Sequence, residues 1–179
     1  VVRTLFIENV KELMIGSAMR AVGGRMPYSV VKKFESELCR YTGSKYAVTV
    51  NSCTMGLLIV CAYLRLKIGT QTVSVPRYTY CSVPQAILLS GHRLAFRDES
   101  WLGLYRLDPL PVFDCARILT GKMFRPETFM VLSFHWTKHL KIGLGGAILH
   151  DDDEADPLFR RMRFDGRAEN VEPKYDTFP

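Results

Sequence analysis

From residue 46 onward, short β-rich apolar runs alternate with stretches whose apolar residues recur at helical spacing. The predicted strands are 46–50, 71–76, 93–97, 111–115, 128–134 and 145–150. The predicted helices are 29–41, 55–66, 79–89 and about 154–164. Strands that alternate with helices favour a parallel sheet that is covered on both faces. The sequence therefore predicts a three-layer α/β/α fold with a mostly parallel central sheet.

Composition limits what such a fold could bind. The net charge of +6 over 179 residues favours phosphate-bearing partners. Lysine and arginine do not cluster among aromatic residues, so we expect no nucleic-acid binding. No apolar run is long enough to span a membrane. Five scattered cysteines without a Cys-x-x-Cys motif argue against a disulfide framework or a structural zinc site, and favour a reducing cytoplasm.

We divide the chain into three parts. An N-terminal helical segment, 1–28, has apolar residues at helical spacing over 5–21. The α/β domain extends over 29–167, and a tail follows at 168–179. Because the chain does not begin with methionine and stops abruptly, we expect both ends to have been trimmed.

Polar residues follow the predicted strands at four places, which are 51–54, 76–80, Asp114 and 133–138. In open α/β sheets, ligands bind beyond the carboxyl ends of the strands. We therefore expect the four segments to meet at one edge of the sheet and to form the functional site.

Lys138 follows a predicted buried strand and is flanked by hydroxyls and by the glycines of 143–146. Removal from water disfavours the ammonium ion, so a lysine held in such a place can act as a neutral amine that attacks carbonyls. The alternative is a solvated lysine, as most lysines near strand ends are.

Ser52, Cys53 and Thr54 precede a long predicted helix. The unpaired amides at the start of that helix, together with two hydroxyls, form a potential phosphate site, to which Ser133 could add a donor. The alternative is an ordinary helix N-cap.

Asp114 ends an apolar strand, where an unpaired buried charge would be costly. A protonated pyridine nitrogen would satisfy the carboxylate, and so would the amides of the next turn. Tyr80 could stack on a flat ring or belong to the core. Together with Lys138 and the phosphate site, these groups match every functional group of pyridoxal 5′-phosphate (PLP).

In order and spacing, four segments resemble the DegT/DnrJ/EryC1/StrS family of PLP-dependent sugar aminotransferases over about 29–167. They are VKKFESELCRYTGSKYAVTVNSCTMGL, VPRYTYCSVPQAILLSGHRLAFRDE, VFDCAR, and VLSFHWTKHLKIGLGGAILHDDD with RRMRFDGR. The resemblance implies a shortened large domain of the type I PLP-dependent transferase fold, the fold of aspartate aminotransferase.

The resemblance also implies a role for individual residues. Lys138 would be the Schiff-base lysine, and Asp114 would pair with the pyridine nitrogen. Cys53 and Thr54 would hold the phosphate with help from Ser133. The aromatic that stacks on the cofactor ring would be the tyrosine at position 80.

Family members usually transfer an amino group from glutamate to nucleotide-linked keto-hexoses, as homodimers whose active sites lie between subunits. A branch that dehydrates sugars has histidine at the lysine position. Lys138 therefore favours transamination. His135, close to this lysine, is a candidate substrate contact.

The chain departs from the family pattern in three ways. Arg117 stands where Gln or His usually lies near the phenolic oxygen of the cofactor, so it would donate to that oxygen or contact a substrate phosphate or carboxylate. Several dozen residues that normally follow Asp108-Pro109 are missing, which we expect to narrow the sheet and open the substrate side. The C-terminal small domain is absent or not covered.

Other polar residues are interpreted as structural. We expect His92 and His150 to lie at the surface. The acidic run 151–154 is interpreted as a solvated helix start rather than a metal site.

Two functions fit these residues best. The first is a cytoplasmic PLP-dependent aminotransferase acting on a nucleotide-linked keto-sugar. The alternative is a catalytically degenerate relative that keeps the fold as a binding or regulatory protein. A PLP enzyme acting on a non-sugar amine is a third interpretation.

Overall fold

The computed structural model describes residues 28–164 and 166. The predicted helix at 5–21 and the tail at 168–179 lie outside these residues. No helix of the described part is long and apolar enough to cross a membrane.

Helices and strands alternate along the described chain as far as the third strand, after which four strands follow one another before the last helix. In order they are α1 (Tyr28–Thr42), β1 (Tyr46–Val50), α2 (Cys53–Ile68), β2 (Thr72–Pro76), α3 (Ser82–Leu89), β3 (Arg93–Arg97), β4 (Tyr105–Arg106), β5 (Val112–Asp114), β6 (Phe129–Ser133), β7 (Gly146–His150) and α4 (Ala155–Met162). Each predicted strand is found to within one residue at either end. Strand β4 was not predicted.

Five strands form one sheet in the order β1-β7-β6-β5-β4, and β2 pairs with β3 in a separate parallel pair. Ser74 of β2 and Asp108 exchange two backbone hydrogen bonds, of 2.7 and 3.1 Å, which join the two sheets. Five strands consequently point the same way, while β4 and β7 run in the opposite direction.

The directions of β4 and β7 follow from their connections. Strands β6 and β7 are linked by 134–145, and β4 and β5 by 107–111, without a crossover helix in either case. Neighbouring strands joined in this way run antiparallel. The sheet is thus mixed, although most of its strands share one direction.

Helices cover both faces of the sheet. Helix α1 packs on one face, where its Leu38 belongs to the same buried cluster as Met130 and Leu132 of β6. Helices α2, α3 and α4 cover the other face, which contains Val131 of the same strand. Because alternate residues of β6 are buried on opposite faces, the strand reads as a continuous apolar run. The α/β class with three layers is confirmed.

Two predictions about histidines were wrong. The side chains of His92 and His150 are buried, with 4% and 0% of their surface exposed. The His92 ring lies beneath α2, where it accepts from the amide of Gln71 at 3.1 Å and lies 3.1 Å from the carbonyl of Cys61. His150 ends the inner strand β7 and packs edge-on against the ring of Phe159. Neither location is visible in a local sequence pattern.

The acidic run begins helix α4, in line with its interpretation. An Asp152 carboxylate oxygen accepts hydrogen bonds from the amides of Glu154 at 2.9 Å and Ala155 at 3.0 Å. Within residues 28–164 and 166, no three acidic, histidine or cysteine side chains are placed to hold a metal ion.

Candidate active site

The carboxyl ends of β1, β2, β5 and β6 surround a cavity of about 270 Å³ at one edge of the sheet. Eight of the nine residues predicted for the site line it, namely Ser52, Cys53, Thr54, Tyr80, Asp114, Ser133, His135 and Lys138. The ninth, Arg117, lines a neighbouring cavity with Trp101 and His139. The four segments expected at strand ends therefore come together in space.

Asp114 is buried at the floor of the cavity and held on both oxygens. Its Oδ2 accepts from the Tyr105 hydroxyl at 2.7 Å, and its Oδ1 accepts from the Ala116 amide at 2.8 Å. Burial raises the pKa of Asp114, although the two hydrogen bonds and the positive charge of Lys138 act in the opposite direction. The site thus contains an oriented carboxyl group that a cationic partner would stabilise.

Tyr105 was missed by the sequence analysis. Its hydroxyl is also hydrogen bonded to that of Thr79, and its ring packs edge-on against Trp101 at 4.8 Å. Burial and the nearby Asp114 charge raise the pKa of Tyr105. The phenol therefore stays neutral and can donate to the carboxylate. Its strand is too short for any alternating pattern to have revealed this role.

The start of helix α2 forms one wall of the cavity. The Ser52 hydroxyl accepts from the Met55 amide at 3.1 Å, so this serine is the N-cap that the alternative interpretation expected. The Thr54 hydroxyl donates to that of Ser82 at 2.8 Å and links α2 to α3. Both hydroxyls and the positive end of the helix dipole face a space that an anion could enter.

A glycine lets strand β7 approach this helix start. A Cβ atom on Gly146 would lie 2.6 Å from the carbonyl oxygen of Leu132 and 2.7 Å from the amide nitrogen of Cys53. Real Cβ atoms essentially never come so close to backbone atoms. Gly146 is therefore needed to hold the first turn of α2 against the sheet.

The thiol of Cys53 faces Asp114 rather than the mouth of the cavity. Its sulfur lies 3.9 Å from the carboxylate Oδ1 and 3.8 Å from the carbonyl oxygen of Val131. Burial and the Asp114 charge raise the pKa of Cys53 well above its usual value. The thiol is therefore neutral, and its backbone is the part available to an anion.

Lys138 lies in the connection after β6 and is half-buried. Its amide donates to the carbonyl of His135 at 2.8 Å, which closes the turn that carries the lysine. The His135 ring lies 2.9 Å from the Thr137 hydroxyl. Among residues 28–164 and 166, no side chain accepts a hydrogen bond from the Lys138 ammonium group, so its nitrogen is available to a ligand in the cavity.

The site fits PLP in its chemistry. Lys138 supplies an amine, Asp114 supplies an oriented carboxyl group, and the start of α2 supplies donors for a phosphate. The ring of Tyr80 is exposed at the cavity, where it could cover a flat ligand.

Comparison with known proteins supports the same chemistry. A model of the DegT/DnrJ/EryC1/StrS aminotransferase family matches residues 6–100 and 120–177. A UDP-4-amino-4,6-dideoxy-N-acetyl-beta-L-altrosamine transaminase from Campylobacter jejuni is 22% identical over 180 residues, covering 76% of this chain and 47% of its own length. This chain spans about half the length of that relative.

Solved structures share the fold. S. venezuelae DesV, in complex with a ketimine intermediate, superposes with a TM-score of 0.67 and 20% identity, over 96% of this chain and 58% of its own. A DegT DnrJ EryC1 StrS aminotransferase from Brucella abortus gives a TM-score of 0.66 and 17% identity, over 93% and 58%. The fold of the present chain is thus that of PLP-dependent aminotransferases, over part of their length.

Proposed function

Because this chain belongs to the DegT/DnrJ/EryC1/StrS aminotransferase family, we propose that it binds PLP and transfers an amino group, from glutamate, to a nucleotide-linked keto-sugar. The observation that carries this proposal is the presence of Lys138 and Asp114 on the walls of one cavity. The transaminase from C. jejuni, whose name specifies a UDP-linked sugar, supports the substrate class.

Each wall of the cavity would hold one part of the cofactor. Asp114 would keep the ring nitrogen protonated, and Tyr80 would cover the ring. Ser52, Ser133 and the first-turn amides of α2 would bind the phosphate. When bound, PLP supplies an electron sink for the carbon that loses its proton.

Lys138 would then act as the base of the reaction. Its Nζ would take the proton from the Cα atom of the amino donor and deliver it to the C4′ atom of the cofactor, two atoms away. A lysine serves best as a base when its ammonium form is destabilised, which a dry cavity and a cationic ligand both favour. His135, at the mouth, would contact the substrate.

We also propose that the protein functions as a homodimer with shared active sites. Apolar side chains are exposed around the mouth of the cavity, with Tyr80 at 74%, Trp136 at 66% and Leu144 at 81%. Exposed apolar patches of this kind mark interaction surfaces. A strictly monomeric protein in sedimentation experiments at micromolar concentration would contradict this part of the proposal.

A cytoplasmic location remains our prediction. The thiols of Cys39, Cys53, Cys61, Cys81 and Cys115 are all free, which suits a reducing compartment.

The chemistry can be tested with the purified chain and added PLP. We expect a visible absorption band and, after borohydride reduction, a mass adduct that maps to Lys138. Lys138→Ala should abolish the adduct. The matched control is Lys141→Ala, which removes an exposed lysine from the same loop and should leave the adduct unchanged.

Addition of glutamate distinguishes the two functions. An aminotransferase should convert the bound cofactor to pyridoxamine phosphate, with a shift of the visible band. A degenerate binding protein would keep the band unchanged. A colourless protein without an adduct would refute the aminotransferase and leave the alternative of a binding protein that keeps the fold without PLP.

A further inference from the structure

A second cavity, of about 700 Å³, adjoins the first. The two cavities are lined by neighbouring residues of the same segments: Tyr80, Ala116 and Lys138 face the first, and Tyr78, Arg117 and His139 face the second. Consecutive Cα atoms are 3.8 Å apart. Because His139 directly follows Lys138, a ligand that extended from the second cavity into the first would reach Lys138.

The outer wall of the second cavity is the connection between β3 and β4, and it is anchored. The indole nitrogen of Trp101 donates to the carbonyl of Tyr78 at 3.0 Å. The same indole packs edge-on against Tyr105, the residue that holds Asp114. Trp101 is only partly exposed. The aromatic wall is consequently preformed.

Hydrogen-bond donors face the cavity from the opposite side. Arg117 is exposed, and its guanidinium group has no acceptor among residues 28–164 and 166. The Nδ1 atom of His139 accepts from the Leu119 amide at 3.0 Å. In the neutral ring, the proton therefore lies on Nε2, which is a donor.

The acidic side chain of the cavity does not cancel these donors. Glu99 is paired with the guanidinium group of Arg97. The cavity thus combines an available arginine, a histidine N–H group and an aromatic wall. Arginine forms paired hydrogen bonds with phosphate oxygens, and aromatic side chains stack on nucleobases.

We propose that the second cavity binds the nucleoside diphosphate part of the acceptor. Arg117 and His139 bind the phosphates, and the base packs against Trp101 and Tyr78. The inference rests on the proposed function for the route from this cavity to Lys138. Binding of the nucleotide itself is measurable without any amino transfer.

The test is calorimetric titration of the full chain with UDP and with GDP, with uridine as the arm that lacks phosphate. At least one diphosphate should bind, and uridine should bind at least about tenfold more weakly. Arg117→Ala should weaken diphosphate binding about tenfold or more. The matched control, Arg161→Ala, removes an exposed arginine from α4 and should leave the affinity unchanged.

Several results would overturn the inference. They are the absence of diphosphate binding at millimolar concentration, equal weakening by the two arginine variants, and a change in self-association as the sole effect of Arg117→Ala. If Arg117→Ala lost the PLP adduct but bound diphosphates as the parent does, the inference would also fail, and Arg117 would be assigned to the cofactor instead.

The two proposals fail separately. A protein that binds UDP through Arg117 but forms no adduct at Lys138 would refute the aminotransferase and preserve the nucleotide site. A protein that forms the adduct but binds neither diphosphate would refute the nucleotide site and leave the aminotransferase proposal standing.

Discussion

Replacement of Tyr105 by phenylalanine tests whether the ionised form of the buried Asp114 is stabilised by the hydrogen bond from the Tyr105 hydroxyl. In the parent, the Tyr105 hydroxyl donates to the Oδ2 atom of Asp114 at 2.7 Å. The variant lacks this hydroxyl, so Oδ2 loses its donor. Hydrogen bonds to charged groups contribute about 1.5–3 kcal/mol. For a domain of this size, that loss corresponds to a fall in Tm of about 3–12 °C.

The loss should depend on pH. Burial raises the pKa of Asp114 in the folded protein above its value in the unfolded chain. Protonation of Asp114 therefore favours the folded state. This contribution to stability is full below the pKa of the unfolded chain, and it is lost as the pH rises through the pKa of the folded protein. The Tyr105 hydrogen bond favours the ionised form. We therefore expect Tyr105→Phe to cost most at pH 8 and only about 0.5–1.5 kcal/mol near pH 4, where a neutral bond is lost.

Thermal melts followed by circular dichroism at both pH values measure this. The matched control is Tyr63→Phe, because Tyr63 donates at 2.8 Å to Asp152, whose side chain is 28% exposed. Solvent screens that pair, so its removal should cost less. Equal melting temperatures of Tyr105→Phe and the parent at pH 8, or an equal loss at both pH values, would refute the reasoning.

Two further predictions concern the scaffold of the site. Gly146→Ala should destabilise the fold by about 1–3 kcal/mol in urea titrations, because the new methyl group would lie 2.6 Å from the Leu132 carbonyl oxygen; a stable variant with unaltered PLP affinity would contradict the close packing. Arg163→Ala should cost about 1.5–3 kcal/mol in the same assay, because the buried carboxylate of Glu35 loses one charged hydrogen bond and keeps Arg160 as a partner. The control Arg40→Ala loses only an exposed pair and should unfold at the same urea concentration as the parent. Equal losses of stability in both variants would show that burial of the ion pair does not matter.

The location of residues that follow the ends of strands could be predicted from the sequence. Asp114 and Lys138 follow apolar strands, and the end of a parallel strand fixes the edge of the sheet at which its neighbours meet. The same argument placed the first turn of α2 in the site. These predictions needed only the local spacing of apolar residues and the direction of the chain.

The features that were missed depend on contacts between distant segments. Tyr105 lies in a strand of two residues, which has no period to detect. The orientation of the Cys53 thiol towards Asp114 depends on how closely α2 packs on β6. Arg117 directly follows Ala116, which lines the first cavity, and yet it lines the second cavity.

The join between the two sheets has a mechanical consequence. Ser74 and Asp108 supply a pair of backbone hydrogen bonds at the boundary, and Arg97 of β3 adds a side-chain hydrogen bond to the carbonyl of Arg106. Tyr80 is carried by the smaller sheet, whereas Lys138 is carried by the larger one. A rotation about this boundary would change the distance between Tyr80 and Lys138, and the Tyr105 hydroxyl, which is hydrogen bonded to both Thr79 and Asp114, would resist it.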